Sequence, residues 1–148
     1  MPKAQQLNVP QPTRMMMTAT LAASAAANTT GQFTIFQNGA SSAGLNPAQV
    51  PSKQKWFILN FEVASSVTPD FLFSMKVNGV NQPMSLDANT TVPTNSGRVQ
   101  LSEAINGYAA AIEISPSSTV EVSYYTLAAN GTSAVTYTAY MSVLLVPV

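Results

Sequence analysis

The stretch Lys55-Trp56-Phe57-Ile58-Leu59-Asn60-Phe61-Glu62-Val63 decides the fold. Phe57, Leu59, Phe61 and Val63 alternate with Ile58, Asn60 and Glu62, the period of two that sends successive side chains to opposite faces of a strand. The pattern predicts a strand with one buried face. Beyond the break at Pro69-Asp70, Phe71, Phe73, Met75 and Val77 alternate with Leu72, Ser74, Lys76 and Asn78. Val120, Val122 and Tyr124 alternate with Glu121, Ser123 and Tyr125. The longest set is Val135, Tyr137, Ala139, Met141, Val143 and Leu145. Met15–Ala23, Gln32–Gln37, Arg98–Glu103 and Ala109–Ser115 are shorter candidates, and Gln82–Leu86 adds an edge piece. Helical signals are confined to single turns at Leu101–Ile105 and Leu45–Gln49.

Turn chemistry agrees with many short strands. Asn-Gly occurs at 38–39, 78–79, 106–107 and 130–131, and this pair suits the positive φ angles of a type I′ turn. Lying between two strongly alternating runs, Asn130-Gly131 predicts a hairpin. The prolines fall mostly between runs, where a missing backbone donor does least harm. The fold class that follows is all-β: a single antiparallel β-sandwich, a jelly roll or related Greek key, with immunoglobulin-like topology as the alternative.

Two segments are expected to lie outside the sandwich, which would span residues 15–148 as one domain. Residues 1–14 lack periodicity and hold three prolines; as an extended arm they would reach roughly 45–50 Å. Gly39–Ser52 is a long loop of small residues, the kind that makes functional contacts. Arg14 followed by Met15–Ala27 superficially mimics a signal peptide. Two threonines interrupt that run and a polar, Pro-containing stretch precedes it, so no leader is expected there.

Composition narrows the function. Only 8% of the residues are charged while 46% are hydrophobic, against about 25% charged in ordinary soluble domains; packing against other subunits is the simplest way to cover such a surface. Six Lys and Arg balance six Asp and Glu, scattered singly, so neither nucleic acid nor an anionic membrane is an expected partner. The absence of His and Cys removes imidazole chemistry, disulfides and thiolate sites.

No catalytic, metal or cofactor site is assigned. Glu113 and Glu121 fall on neighbouring predicted strands and could face each other as a glycosidase pair, but each flanks buried apolar positions, which favours solvent-facing placement. Asp87-Ala88-Asn89 offers too few carboxylates for calcium and reads as a turn. Asn28, Asn89 and Asn130 head N-glycosylation patterns of the sort that chance supplies in a chain rich in Asn and Thr. Trp56, Tyr108, Tyr124, Tyr125, Tyr137 and Tyr140 could make a sugar-stacking platform, yet their placement inside strands points first to core and interface.

The succession Trp56–Glu62, Asp70–Gly79, Ser115–Val122 and Ala134–Val146 resembles small β-sandwich proteins of phage and viral virions: capsid decoration or cement proteins, single jelly-roll capsid proteins and fibre heads. The resemblance covers about residues 53–148 and lies in strand order and composition, so no functional residue transfers. It implies a non-enzymatic structural protein of the capsid surface, made in the host cytoplasm. It would form a homo-oligomer, a trimer first, and bind the major capsid protein or other virion proteins through its N-terminal arm. The alternatives are a receptor- or carbohydrate-binding head and an extracellular filament subunit joined by strand addition.

Overall fold

The computed structural model describes residues 12–37, 43–63, 68–82, 86–88, 98–100 and 112–148. Every regular element among them is a strand: β1 (Pro12–Leu21), β2 (Thr30–Gln32), β3 (Thr34–Phe36), β4 (Ala48–Gln49), β5 (Gln54–Val63), β6 (Phe71–Val77), β7 (Val80–Asn81), β8 (Leu86–Ala88), β9 (Arg98–Gln100), β10 (Ile112–Ile114), β11 (Thr119–Thr126) and β12 (Val135–Pro147). They make two sheets. The first runs β10-β5-β12-β1-β3, with β9 also on β5; the second runs β2-β11-β6-β7, with β4 on β11 and β8 on β6.

The pairings identify the topology. Among the principal strands, β1 pairs with β12, β2 with β11, β5 with β10 and β6 with β8, all antiparallel, which is the pattern of one long hairpin ribbon. Rolling that ribbon adds the pairs β12–β5 and β11–β6 and divides it into two sheets. The sandwich is therefore a jelly roll. Phe33, between β2 and β3, is where the chain crosses from the second sheet to the first, and its N–H still reaches the Val122 carbonyl at 2.8 Å.

The core lies between the sheets. Met15, Met17 and Leu21 of β1, Trp56, Ile58 and Phe61 of β5, and Tyr137, Met141 and Val143 of β12 meet Phe71, Phe73 and Met75 of β6 and Val120 and Val122 of β11, all buried. At its centre the Phe71 ring lies 4.5 Å from that of Tyr137, 4.9 Å from Phe73 and 5.8 Å from Phe33. The one polar tip among these rings, the Tyr137 hydroxyl, donates to the Pro69 carbonyl at 2.7 Å.

That burial makes the fold sensitive to alkali. Burial, with charge on Tyr124 and Asp70 adding, pushes the Tyr137 phenol from 10.0 up to about 12; burial also raises Tyr124. A folded-state pKa above the unfolded one means this stability is complete below pH 10.0 and is lost as pH rises through about 12. In urea titrations the unfolding free energy should fall across that window, and Tyr137→Phe should flatten the fall. An unchanged slope in the variant would contradict it.

Several expectations are corrected. In β5 the buried residues are Trp56, Ile58, Phe61 and Val63, whereas Phe57 and Leu59 are only half-buried. The cause is a bulge: Asn60 pairs with Ser142 and Ile58 with the next residue, Val143, so Leu59 is supernumerary and the alternation changes phase there. Asn130-Gly131 is not a hairpin. It joins β11 in one sheet to β12 in the other, and Asn130 instead braces the crossing, its amide donating to the carbonyls of Ala22 (2.8 Å) and Ser133 (3.0 Å). The type I′ hairpin is at Asn78-Gly79 (φ 50° and 77°), which joins β6 to β7 through the pair Val77–Val80.

Pro12, Thr13 and Arg14, expected in the arm, open β1 opposite Leu144, Val143 and Ser142. Proline is accepted because β3 covers only Met16–Thr18, which leaves the other edge of β1 unpaired at Pro12 among the described residues. No helical turn forms at Leu45–Gln49. Leu45 bridges Ile35, and Ala48 and Val50 alternate with Gln49 to bury themselves against the start of β11, so part of the expected loop is core. The predicted turn at Leu101–Ile105, and Asn38-Gly39 and Asn106-Gly107, lie outside the described residues.

Candidate interaction surfaces

Side chains that the sheets turn outward fall into cross-strand rows, because directly paired residues share a face. On the outer face of the β1-β12-β5 sheet one row is Phe36–Met16–Tyr140–Glu62 and another is Pro12–Leu144–Phe57–Glu113. Between them runs Arg14–Ser142–Asn60. The Arg14 guanidinium stacks 3.8 Å over the Tyr140 ring and reaches across β12 to the Glu62 carboxylate at 3.0 Å. Lys55 closes on Glu113 at 2.8 Å. These exposed pairs contribute little stability, but they close on the face itself and leave large apolar side chains beside them.

The outer face of the other sheet is different in chemistry. Its rows are Thr30–Tyr125–Leu72, Gln32–Ser123–Ser74 and Glu121–Lys76, and together they line an open groove of about 550 Å³. Tyr125 is the exposed aromatic here, 37% accessible, and its hydroxyl donates to Asn28 Oδ1 at 2.7 Å. Asn28 adopts a left-handed conformation (φ 64°) and its N–H bonds the Thr126 carbonyl at 2.9 Å, so the acceptor is itself anchored to the end of β11. Beneath β2, Gly31 has no room for a side chain: a Cβ there would collide with the Tyr124 ring.

Residues singled out from the sequence are dispersed. Glu113 and Glu121 belong to different sheets and both turn outward, so the sandwich lies between them and they are not a catalytic pair. Trp56, Tyr124 and Tyr137 are core, Tyr140 and Tyr125 sit on opposite outer faces, and Tyr108 lies outside the described residues; no six-membered aromatic platform exists. Asp87 pairs with Leu72 in β8, and no cluster of three or more His, Cys, Asp or Glu that could hold a metal occurs among the described residues. Asn28 and Asn130 spend their side chains on structural bonds, and Asn89 lies outside the described residues. No helix among the described residues is long and apolar enough to cross a membrane.

Arg14 was missed as a surface residue because the prolines before it read as an arm. The signal was present: Arg14, Met16, Thr18 and Thr20 share the outward phase opposite buried Met15, Met17, Ala19 and Leu21. The Asn28–Tyr125 contact joins residues 97 apart, and local pattern carries no trace of it. No protein-family model matches the sequence, and no curated protein matches it.

Proposed function

We propose that this chain is a non-enzymatic assembly subunit of a virion, a capsid decoration or minor capsid protein, that associates with further copies of itself through the outer face of the β1-β12-β5 sheet. The observation that carries this is the pair of apolar rows, Phe36–Met16–Tyr140 and Leu144–Phe57, on a face where Arg14–Glu62 and Lys55–Glu113 close as ion pairs. In a closed trimer one part of this face meets a different part of the next copy's, a heterologous contact. Net-neutral pairs such as Arg14–Glu62 and Lys55–Glu113 impose no like-charge penalty on that contact, while the apolar rows supply the driving force. Jelly-roll topology and a charge-poor composition support the same reading. β1 begins at Pro12, in the row of Leu144 and Phe57, and the residues that precede it in the sequence are assigned to contacts with a neighbouring subunit or the shell.

Light scattering coupled to size exclusion tests this on the full chain. The expected result is a closed oligomer, a trimer first, that dissociates to monomer in the Met16→Glu/Phe57→Glu double variant, with association weakened at least about a hundredfold. Circular dichroism should show the variant folded, since both side chains face outward. A monomeric parent, or an oligomer indifferent to the substitutions, would overturn the proposal.

A further inference from the structure

The groove on the β2-β11-β6 sheet lies on the side of the sandwich away from the proposed assembly face, so occupancy of one leaves the other free. We infer that it is a binding site for a neutral oligosaccharide, seated on Tyr125 and Leu72 and hydrogen-bonded by Thr30, Gln32, Ser74 and Ser123.

Size and composition fit that class. A volume of about 550 Å³ falls within the range of small-ligand sites and accommodates a few sugar rings in an open channel. Pyranose rings present an apolar C–H face and a rim of hydroxyls, so they need an apolar platform bordered by small groups that both donate and accept. Tyr125 and Leu72, directly paired on adjacent strands, supply the platform. Gln32, Ser123 and Ser74, paired across three strands in the next row, supply the polar border with one amide and two hydroxyls. Thr30 adds a third hydroxyl beside Tyr125.

Preorganisation adds to the case. A tyrosine that must be ordered on binding loses rotamer freedom; here the Asn28 acceptor, itself fixed by the Thr126 carbonyl, already holds the phenol at 2.7 Å. The neighbouring turn is tied down independently, the Thr29 N–H donating to Thr126 Oγ1 at 3.0 Å and the Thr126 N–H to the Thr29 carbonyl at 2.9 Å.

Other ligand classes fit less well. The charged lining groups, Lys76 and Glu121, are directly opposed and of opposite sign, so a phosphate or polyanion finds no net attraction. An extended peptide would gain affinity by adding main-chain hydrogen bonds to a strand edge; β2, at the end of the sheet order, offers only a 3-residue edge, a short ladder for that mode, and β11, flanked by β2 and β6, offers a face instead.

The test is an amide-resolved NMR titration of the full chain with maltohexaose, cellohexaose, xylohexaose and mannohexaose, with sialyllactose as the anionic probe. At least one neutral probe should bind saturably below about 10 mM, with shifts centred on Gln32, Ser74, Ser123 and Tyr125. Tyr125→Ala should weaken that binding at least about tenfold, Tyr125→Phe less, and Tyr140→Ala on the opposite face not at all. Tyr125 is exposed, so its variants remain folded, which the same spectra report. Binding by none of the neutral probes, by sialyllactose alone, or with unchanged affinity in Tyr125→Ala would overturn the inference.

Discussion

Phe71→Ala should lower the free energy of unfolding by about 4 kcal/mol, a large share of the ~5–15 kcal/mol that holds a domain together. Phe71 is fully buried at the centre of the ring cluster, within 4.5–6.3 Å of the rings of Phe33, Phe73, Tyr124 and Tyr137. Removing it loses the transfer free energy of the ring and leaves a cavity walled by other rings, which are rigid and come from both sheets and from the crossing at Phe33. Such walls relax poorly, so the cavity persists. The neighbouring Leu72 points outward on the same strand, and Leu72→Ala should lose about 1 kcal/mol or less. Urea denaturation of the two variants makes the comparison, and the Phe71→Ala melting temperature should fall by roughly 10–15 °C. Equal losses would mean that the rings do not form the mechanical centre of the fold.

The alternation that revealed β6, β11 and β12 could be read from the chain because in each of them the buried phase is unbroken: Phe71, Phe73 and Met75, then Val120, Val122 and Tyr124, then Tyr137, Ala139, Met141 and Val143. β5 was equally visible as a strand, yet its inward face was misread up to Leu59. Hydrophobic residues fill both phases of Trp56–Leu59, so only the pairing with β12 distinguishes them. Asn-Gly pairs announced turns without saying which of them close hairpins. The one at 78–79 joins strands of one sheet and takes positive φ at both residues; the one at 130–131 spans two sheets and takes positive φ at neither. Local chemistry permits a turn type, and the sheet to which each flanking strand belongs selects it.

The two candidate surfaces were legible to different degrees for the same reason. Each outward residue could be named from its strand's phase, as Ser74, Lys76, Glu121 and Ser123 were. Which strands lie side by side is set by the rolled ribbon, and this brings Gln32 beside Ser123 across about ninety intervening positions. The Asn28–Tyr125 bond depends on that neighbourhood and on a left-handed residue after β1, neither of which has a periodic signature. The unbroken phase of β11 and the interrupted phase of β5 also predict opposite responses to the loss of one residue.

Deleting Leu59 from β5 should leave the protein folded, with a loss of about 1–2 kcal/mol, whereas deleting Ser123 from β11 should abolish folding. Leu59 is the extra residue of the bulge. Without it Ile58 adjoins Asn60, the partners Ser142 and Val143 remain consecutive, and Trp56, Ile58, Phe61 and Val63 all keep their inward phase. The neighbours on the other edge also tolerate the change, since β10 pairs with Trp56–Ile58 and β9 with Asn60–Glu62, one on each side of the deleted position. β11 has no such reserve. If Tyr124 and Thr126 hold their places after loss of Ser123, Val120 and Val122 turn to solvent and Glu121 enters the core position of Val122; if the first half holds, Tyr124 and Thr126 invert instead. Exposing two buried valines and burying an unpaired carboxylate together oppose folding by more than about 5 kcal/mol, comparable with the whole stability of a domain. Far-UV circular dichroism with urea titration separates the outcomes: a cooperative transition for the Leu59 deletion and none for the Ser123 deletion. Loss of the fold in both would show that the bulge is required for the sheet to close, and that Leu59 contributes more than an extra residue.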